Sequence, residues 1–323
     1  MNVSELVDEL YRAFADRFDE PLRGHAADLP RTLKLAPEGA PSWGRVFGDE
    51  VTLGAPALIA HALPGASGSL VRDAVLAHML AVIDAFGSDR IEGDQAEASA
   101  TLLALLGQVR RERDRAMARL CGGVPPPDLD FSVADATTLR AIRRERAILR
   151  AARSTELDTY ERLALEKQGA CWLASVALAR AVGEDERRCR AVRATLQSLA
   201  LALQIYDDVV DWEEDLERGG AWAVCLVNAL RPPASSRRGV VMDATRARIQ
   251  VLHSGILRSM LERATVHIRA ARMRASAIGA MRLAAWAAAR ETRLQALVAA
   301  ERRSAGYAVR AHALAAWAGE VLA

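Results

Sequence analysis

Apolar residues recur with a period near 3.6 along almost the whole 323-residue chain, and that regularity commits most of it to helices. Helical stretches are expected at about 3–19, 51–64, 68–87, 93–120, 135–153, 156–182, 184–218, 221–230, 239–271 and 274–321. The last is long enough to read as two helices. About a fifth of the residues are alanine, which loses no side-chain entropy in a helix, and only 5% are aromatic. A β-sandwich or barrel would need many short strands and frequent Gly/Pro turns, and 21 glycines with 11 prolines are too few for that. The stretch Pro30 to Gly44, the run Cys121-Gly-Gly-Val-Pro-Pro-Pro127 and the run Arg231-Pro-Pro-Ala-Ser-Ser236 read as loops. Neither prolyl break separates segments of different composition. The expectation is therefore a single all-α domain over 1–323.

Charge narrows the function. Lys plus Arg is 43 and Asp plus Glu is 41, so the net charge of +2 gives no support to nucleic-acid binding. Only Lys34 and Lys167 are lysines against a background of arginine. Lysine is a compact point charge and arginine a planar fork, so a lysine kept in such a background points to a position that needs one. Cys121, Cys171, Cys189 and Cys225 are widely spaced with no CxxC pair, which argues against a zinc site or a disulfide scaffold. The first residues carry Glu5, Asp8 and Glu9 where a signal peptide would be basic, and no apolar run reaches membrane-spanning length. A cytoplasmic protein without a transmembrane segment is expected.

The helix expected at 184–218 carries the most chemical information. Its end reads LALQIYDDVVDWEEDLERGG, and Gly219-Gly220 is a helix stop. Asp207, Asp211 and Asp215 stand at i, i+4 and i+8, so three carboxylates share one stripe, with Gln204 on the same face and Asp208 beside it. Like charges at this spacing destabilise a helix, and they sit at the wrong end of its dipole. The apolar sequence just before them, and Val209 and Val210 among them, argue against a simply solvated acidic face. Magnesium takes one or two carboxylates per ion and completes its shell with water and substrate phosphate, which makes a metal–diphosphate site the sharp reading.

At these residues the chain resembles the trans-isoprenyl diphosphate synthases. QIYDDVVD followed by DLERGG looks like their second aspartate-rich motif, and YERLALEKQGACWLASVALARAVG looks like their lysine-bearing helix. The resemblance runs from about Tyr160 to Leu230 and, more weakly, back to about Leu53. It implies an all-α bundle around a central cavity, with Lys167 on a substrate diphosphate and Gln168 where threonine is usual. It also implies on the order of three magnesium ions with diphosphate bound, and a homodimer is compatible with it.

The first aspartate-rich motif departs from the family. Aligning His78 puts Ala85 and Phe86 where paired aspartates belong. Asp89 keeps its place, and Asp84 stands one residue early, off the Asp89 face. Asp84 or Asp89 is the metal candidate on this side, with Glu92 and Asp94 weaker ones in an expected loop. The pattern that holds isopentenyl diphosphate near the N-terminus is absent.

The 207/211/215 spacing also resembles the second metal motif of class I terpene synthases, which bind one allylic isoprenyl diphosphate. That likeness implies diphosphate contacts from Arg162 upstream, and from Arg302, Arg303 and Tyr307 near the C-terminus. Phe86, Trp172 and Trp212 could line a dry cavity for a cation, although core packing is the more ordinary role for each. The histidines read as structural. The expected function is a magnesium-dependent class I terpene synthase acting through Asp207, Asp208, Asp211 and Lys167. The alternatives are chain elongation with isopentenyl diphosphate, or a non-catalytic synthase-like subunit.

Overall fold

The computed structural model describes residues 2–36, 42–230 and 244–321, with side chains of all of these but Arg45 and those from 304 onward. Among the described residues there are helices and no strand. In chain order they are α1 (Val3–Ala15), the short α2 (Leu22–Ala27), α3 (Leu29–Thr32) and α4 (Trp43–Val46), then α5 (Val51–Ala60), α6 (Gly68–Glu92) and α7 (Ala100–Cys121). α8 (Phe131–Arg150), α9 (Leu157–Lys167), α10 (Leu173–Ala181), α11 (Glu186–Val210) and α12 (Trp212–Glu217) follow. α13 (Trp222–Ala229), α14 (Ala244–Ser254), α15 (Ile256–Ala277) and α16 (Met281–Val321) complete the chain. The all-α expectation holds.

The chain divides into two compact units. The first comprises Met1–Arg143, Leu165–Gln197 and Ala271–Trp286. Its centre is α6, buried on every face from Ala74 to Asp84, as a helix apolar all round must be. Ser67 caps its start by accepting from the Leu70 N–H, and Ser99 caps α7 in the same way through Leu102. Gly87 lets α7 come close: a Cβ there would lie 2.8 Å from Cδ2 of Leu106. Arg188 ties three segments together by donating to the carbonyls of Ala62, at 2.9 Å, and Ile278.

The second unit comprises Arg144–Ala164, Ser198–Ala270 and Ala287–Ala323. The buried run Trp222–Val227 of α13 forms much of its core. Gly220, at φ +139°, brings the backbone so near Leu149 that a Cβ would lie 2.5 Å from its carbonyl oxygen. The Glu161 carboxylate accepts from Arg263 Nε at 2.5 Å and Nη2 at 2.8 Å, and it meets His267 Nε2 at 2.9 Å, so α9 is clamped to α15.

Several boundaries differ from the sequence reading. The 156–182 stretch is not one helix, because α9 stops at Lys167 and a 3₁₀ turn over Gly169–Trp172 precedes α10. The 184–218 stretch breaks at Asp211. The 239–271 stretch breaks at Gly255, whose φ of +73° ends α14. From Met281 the chain is a single 41-residue helix rather than two, because no proline interrupts it. α6 continues to Glu92, so that residue is helical rather than in a loop.

Candidate functional site

In the second unit the acidic residues separate by burial. Asp207 is exposed, and Asp211 and Asp215 are partly exposed. α11 ends at Val210, and Asp211, at φ −99°, ψ 8°, stands at the N-cap position of α12 without a side-chain capping bond. The turn keeps helical spacing: the Asp211 N–H donates to the Asp207 carbonyl at 2.9 Å, and the Asp215 N–H to the Asp211 carbonyl at 2.9 Å. The three residues thus stay on one stripe even though the helix breaks between them.

Asp208 faces the other way. It is buried, accepts from Gln204 Nε2 at 3.0 Å on one oxygen and takes a short hydrogen bond from the Tyr160 hydroxyl on the other. Tyr160 is fully buried, with its ring edge-on to Trp222 at 4.9 Å between centroids. Burial, and then the Asp208 carboxylate, push the Tyr160 hydroxyl well above the usual tyrosine range, so it stays a donor. Asp208, in the acidic motif with Gln204 one turn before it, accepts from both Gln204 and Tyr160.

Arg162 is exposed on α9, next to the clamped Glu161. Burial alone would raise the Glu161 carboxyl, but the bonds from Arg263 and His267 outweigh it and hold it at about 2. Arg302 is paired with Glu262 at 2.8 Å, Arg303 is exposed, and the Tyr307 side chain lies outside the described residues. Trp212 is buried, as core packing requires.

In the first unit Lys167 is half-buried at the last position of α9, where the helix gives way to Gln168 and the 3₁₀ turn. Trp172 is buried, and Phe86 packs against Phe47 at 4.9 Å between centroids. His78 is buried with Nε2 3.0 Å from the Thr52 carbonyl, and burial lowers it to about 4, so it is a neutral structural histidine. Asp89 is half-buried on α6, Glu92 is paired with Arg143 at 2.8 Å, and Asp94 sits just past the helix at φ +56°.

Asp84 is buried inside an ion-pair cluster. Both of its oxygens lie 2.9 Å from Arg110 Nε, and Oδ2 is also 3.3 Å from Arg113 Nη1. Burial raises the Asp84 carboxyl, against the pull of Arg110 and Arg113. Sequence reasoning missed Arg110, Arg113 and Tyr160. Two arginines in an arginine-rich helix give no signal of their own, and Tyr160 is marked only by what folds against it.

Among the described residues no group of three His, Cys, Asp or Glu side chains is gathered to hold a metal ion, and no helix is long and apolar enough to cross a membrane. No protein-family model and no curated protein matches the chain. Solved structures do. A polyprenyl synthetase from Streptomyces coelicolor A3(2) superposes with a TM-score of 0.67 at 17% identity, covering 92% of this chain and 97% of that one. The chain has the isoprenoid-synthase fold. A polyprenyl synthase from Roseobacter denitrificans shares this isoprenoid-synthase fold with a TM-score of 0.58 at 14% identity, covering 88% of this chain and 99% of its own. A decaprenyl diphosphate synthase from Rhodobacter capsulatus shares it at 0.56 and 18% identity, over 87% and 99%.

Proposed function

We propose that this chain, acting as a single isoprenoid-synthase domain, is a magnesium-dependent enzyme that extends an allylic isoprenyl diphosphate with isopentenyl diphosphate. The observation that carries the reading is the outward-facing pair Asp207 and Asp211, kept one helical turn apart across the end of α11. The names of the proteins that share its fold favour elongation over cyclisation.

The donor set fits magnesium on this side. Two hard carboxylates one turn apart suit an ion that completes its shell with water and diphosphate oxygens, so no preformed three-ligand cluster is needed. It does not fit at Asp84, whose oxygens are taken by arginines. The proposed metal residues are Asp207 and Asp211, with Asp215 as a further carboxylate. Asp208 is left out, because its oxygens face Tyr160 and Gln204.

Magnesium, when bound, offsets negative charge on the diphosphate as it leaves. By the resemblance, Lys167 is a point charge for a substrate diphosphate, and Arg162 and Arg303 are cations suited to the same kind of group. When the carbon–oxygen bond breaks, its electron pair leaves with the diphosphate. The isopentenyl double bond then supplies the pair for the new carbon–carbon bond, and the released diphosphate takes the proton whose C–H electron pair restores a double bond in the product. Asp208, held by Tyr160, keeps the last turn of α11 fixed so that Asp207 points outward. The allylic cation requires that water be kept from it while the new bond forms.

A second reading, cyclisation of one allylic diphosphate, is favoured by Asp215, which continues the carboxylate stripe into α12. One assay separates them. Purified protein is incubated with magnesium and geranyl, farnesyl or geranylgeranyl diphosphate, with and without isopentenyl diphosphate, and products are identified by mass spectrometry. Longer diphosphates formed only with isopentenyl diphosphate are expected. Hydrocarbons or alcohols formed without it would replace elongation by cyclisation, and no turnover at all would favour a non-catalytic subunit.

A further inference from the structure

The α6–α7 pair carries a charge cluster at the place where the resemblance implies metal-binding aspartates. Asp84 is 3% exposed, and both oxygens are engaged by arginines of the same chain, Arg110 at 2.9 Å and Arg113 at 3.3 Å. Arg113 is 1% exposed and cannot swing away to release it. Its Nη1 and Nη2 donate to the two Asp135 oxygens at 2.9 and 2.8 Å, its Nε donates to Asp114 at 2.9 Å, and its guanidinium lies 4.5 Å from the Phe131 ring centroid.

We propose that Asp84 takes no divalent ion. Arg110 and Arg113 meet its charge with covalently attached cations where the resemblance implies magnesium, and the chain therefore holds fewer ions, bound through Asp207 and Asp211. This rests on the metal–diphosphate reading above.

Three physical points support it. A magnesium ion sits about 2.1 Å from its oxygen ligands, so an ion on Asp84 would stand within a few ångströms of two guanidinium groups and be repelled by both. Arginine stays charged at any working pH, so the neutralisation is permanent. The other carboxylates near this end of α6, Asp89 and Glu92, do not make up the loss. Asp89 is five residues on, about 140° around the helix from Asp84, so the two cannot share one ion, and Glu92 is taken by Arg143.

The test counts ions rather than turnover. Full-length protein is dialysed to equilibrium against Mn2+ with equal inorganic pyrophosphate on both sides, and protein-bound Mn2+ is measured by atomic absorption. Asp84→Asn is expected to bind as many ions as wild type, with affinity within about twofold, whereas an Asp207→Asn/Asp211→Asn variant loses bound ions. Loss of an ion, or affinity weaker by about tenfold, in a folded Asp84→Asn protein overturns the proposal. If that variant does not fold, the wild-type count decides: fewer than about three ions per chain is expected, and three or more overturns the proposal. A wild type that binds no Mn2+ agrees with the assignment of Asp84 but removes the metal–diphosphate reading, so the two fail separately.

Discussion

The hydroxyl of Tyr160 on α9 donates to the carboxylate of Asp208 on α11, and this bond separates two adjacent aspartates into different roles. Asp208 is turned inward, and Asp207, about 100° further round the same helix, is left facing out.

Tyr160→Phe keeps the ring against Trp222 and removes only the donor. A buried carboxylate that loses a donor costs about 1–3 kcal/mol. The urea midpoint is expected to fall by a corresponding amount with an unchanged m-value, and an unaltered midpoint would contradict the role of the bond.

Asp207→Ala and Asp211→Ala alter partly or fully exposed side chains, so each is expected to change stability by no more than about 0.5 kcal/mol and leave the helical circular dichroism intact. Both are expected to abolish turnover of the isoprenyl diphosphate. Asp208→Ala is expected to lower stability as well, because it removes the acceptor of the Tyr160 hydroxyl and of Gln204 Nε2. Full activity in the Asp207 and Asp211 variants would sink the metal assignment.

Acid sensitivity is expected in two windows. His78 is neutral and lowered to about 4, so the unfolded chain takes its proton first, and stability falls as pH drops from about 6.5 to 4. Glu161 is held at about 2 against an ordinary 4.5. Its stabilisation is complete above 4.5 and is lost as pH falls through 2. After discounting for solvent screening it amounts to about 1–2 kcal/mol. Glu161→Gln should flatten the pH dependence of the melting temperature in the lower window only, and an unchanged slope there would refute the clamp.

Gly220→Ala places a Cβ 2.5 Å from the Leu149 carbonyl oxygen, at a φ of +139° that side-chain-bearing residues rarely adopt. A loss of more than about 2 kcal/mol is expected by denaturant titration. Gly219→Ala, where nothing lies within 4 Å, should cost less because only the backbone is strained. Equal losses would mean that the contact with Leu149 does not matter.

The all-α architecture was legible in the sequence, because period 3.6, abundant alanine and punctuation such as the Cys121–Pro127 run and Gly219-Gly220 are local signals that act within a turn or two of where they stand. The carboxylate stripe was legible for the same reason, and it survives the break at Asp211 because the backbone bonds keep their i, i+4 spacing. Tertiary structure alone decided which carboxylates are buried and which face outward. Asp84 and Asp207 are the same residue type on helices of similar length, yet Asp84 lies against Arg110 and Arg113 from 26 and 29 residues away, and Asp207 faces outward. Tyr160 claims Asp208 from 48 residues away. Helical periodicity tells which residues share a face but not what packs against that face, and the ionic partner that determines a carboxylate's chemistry comes from there.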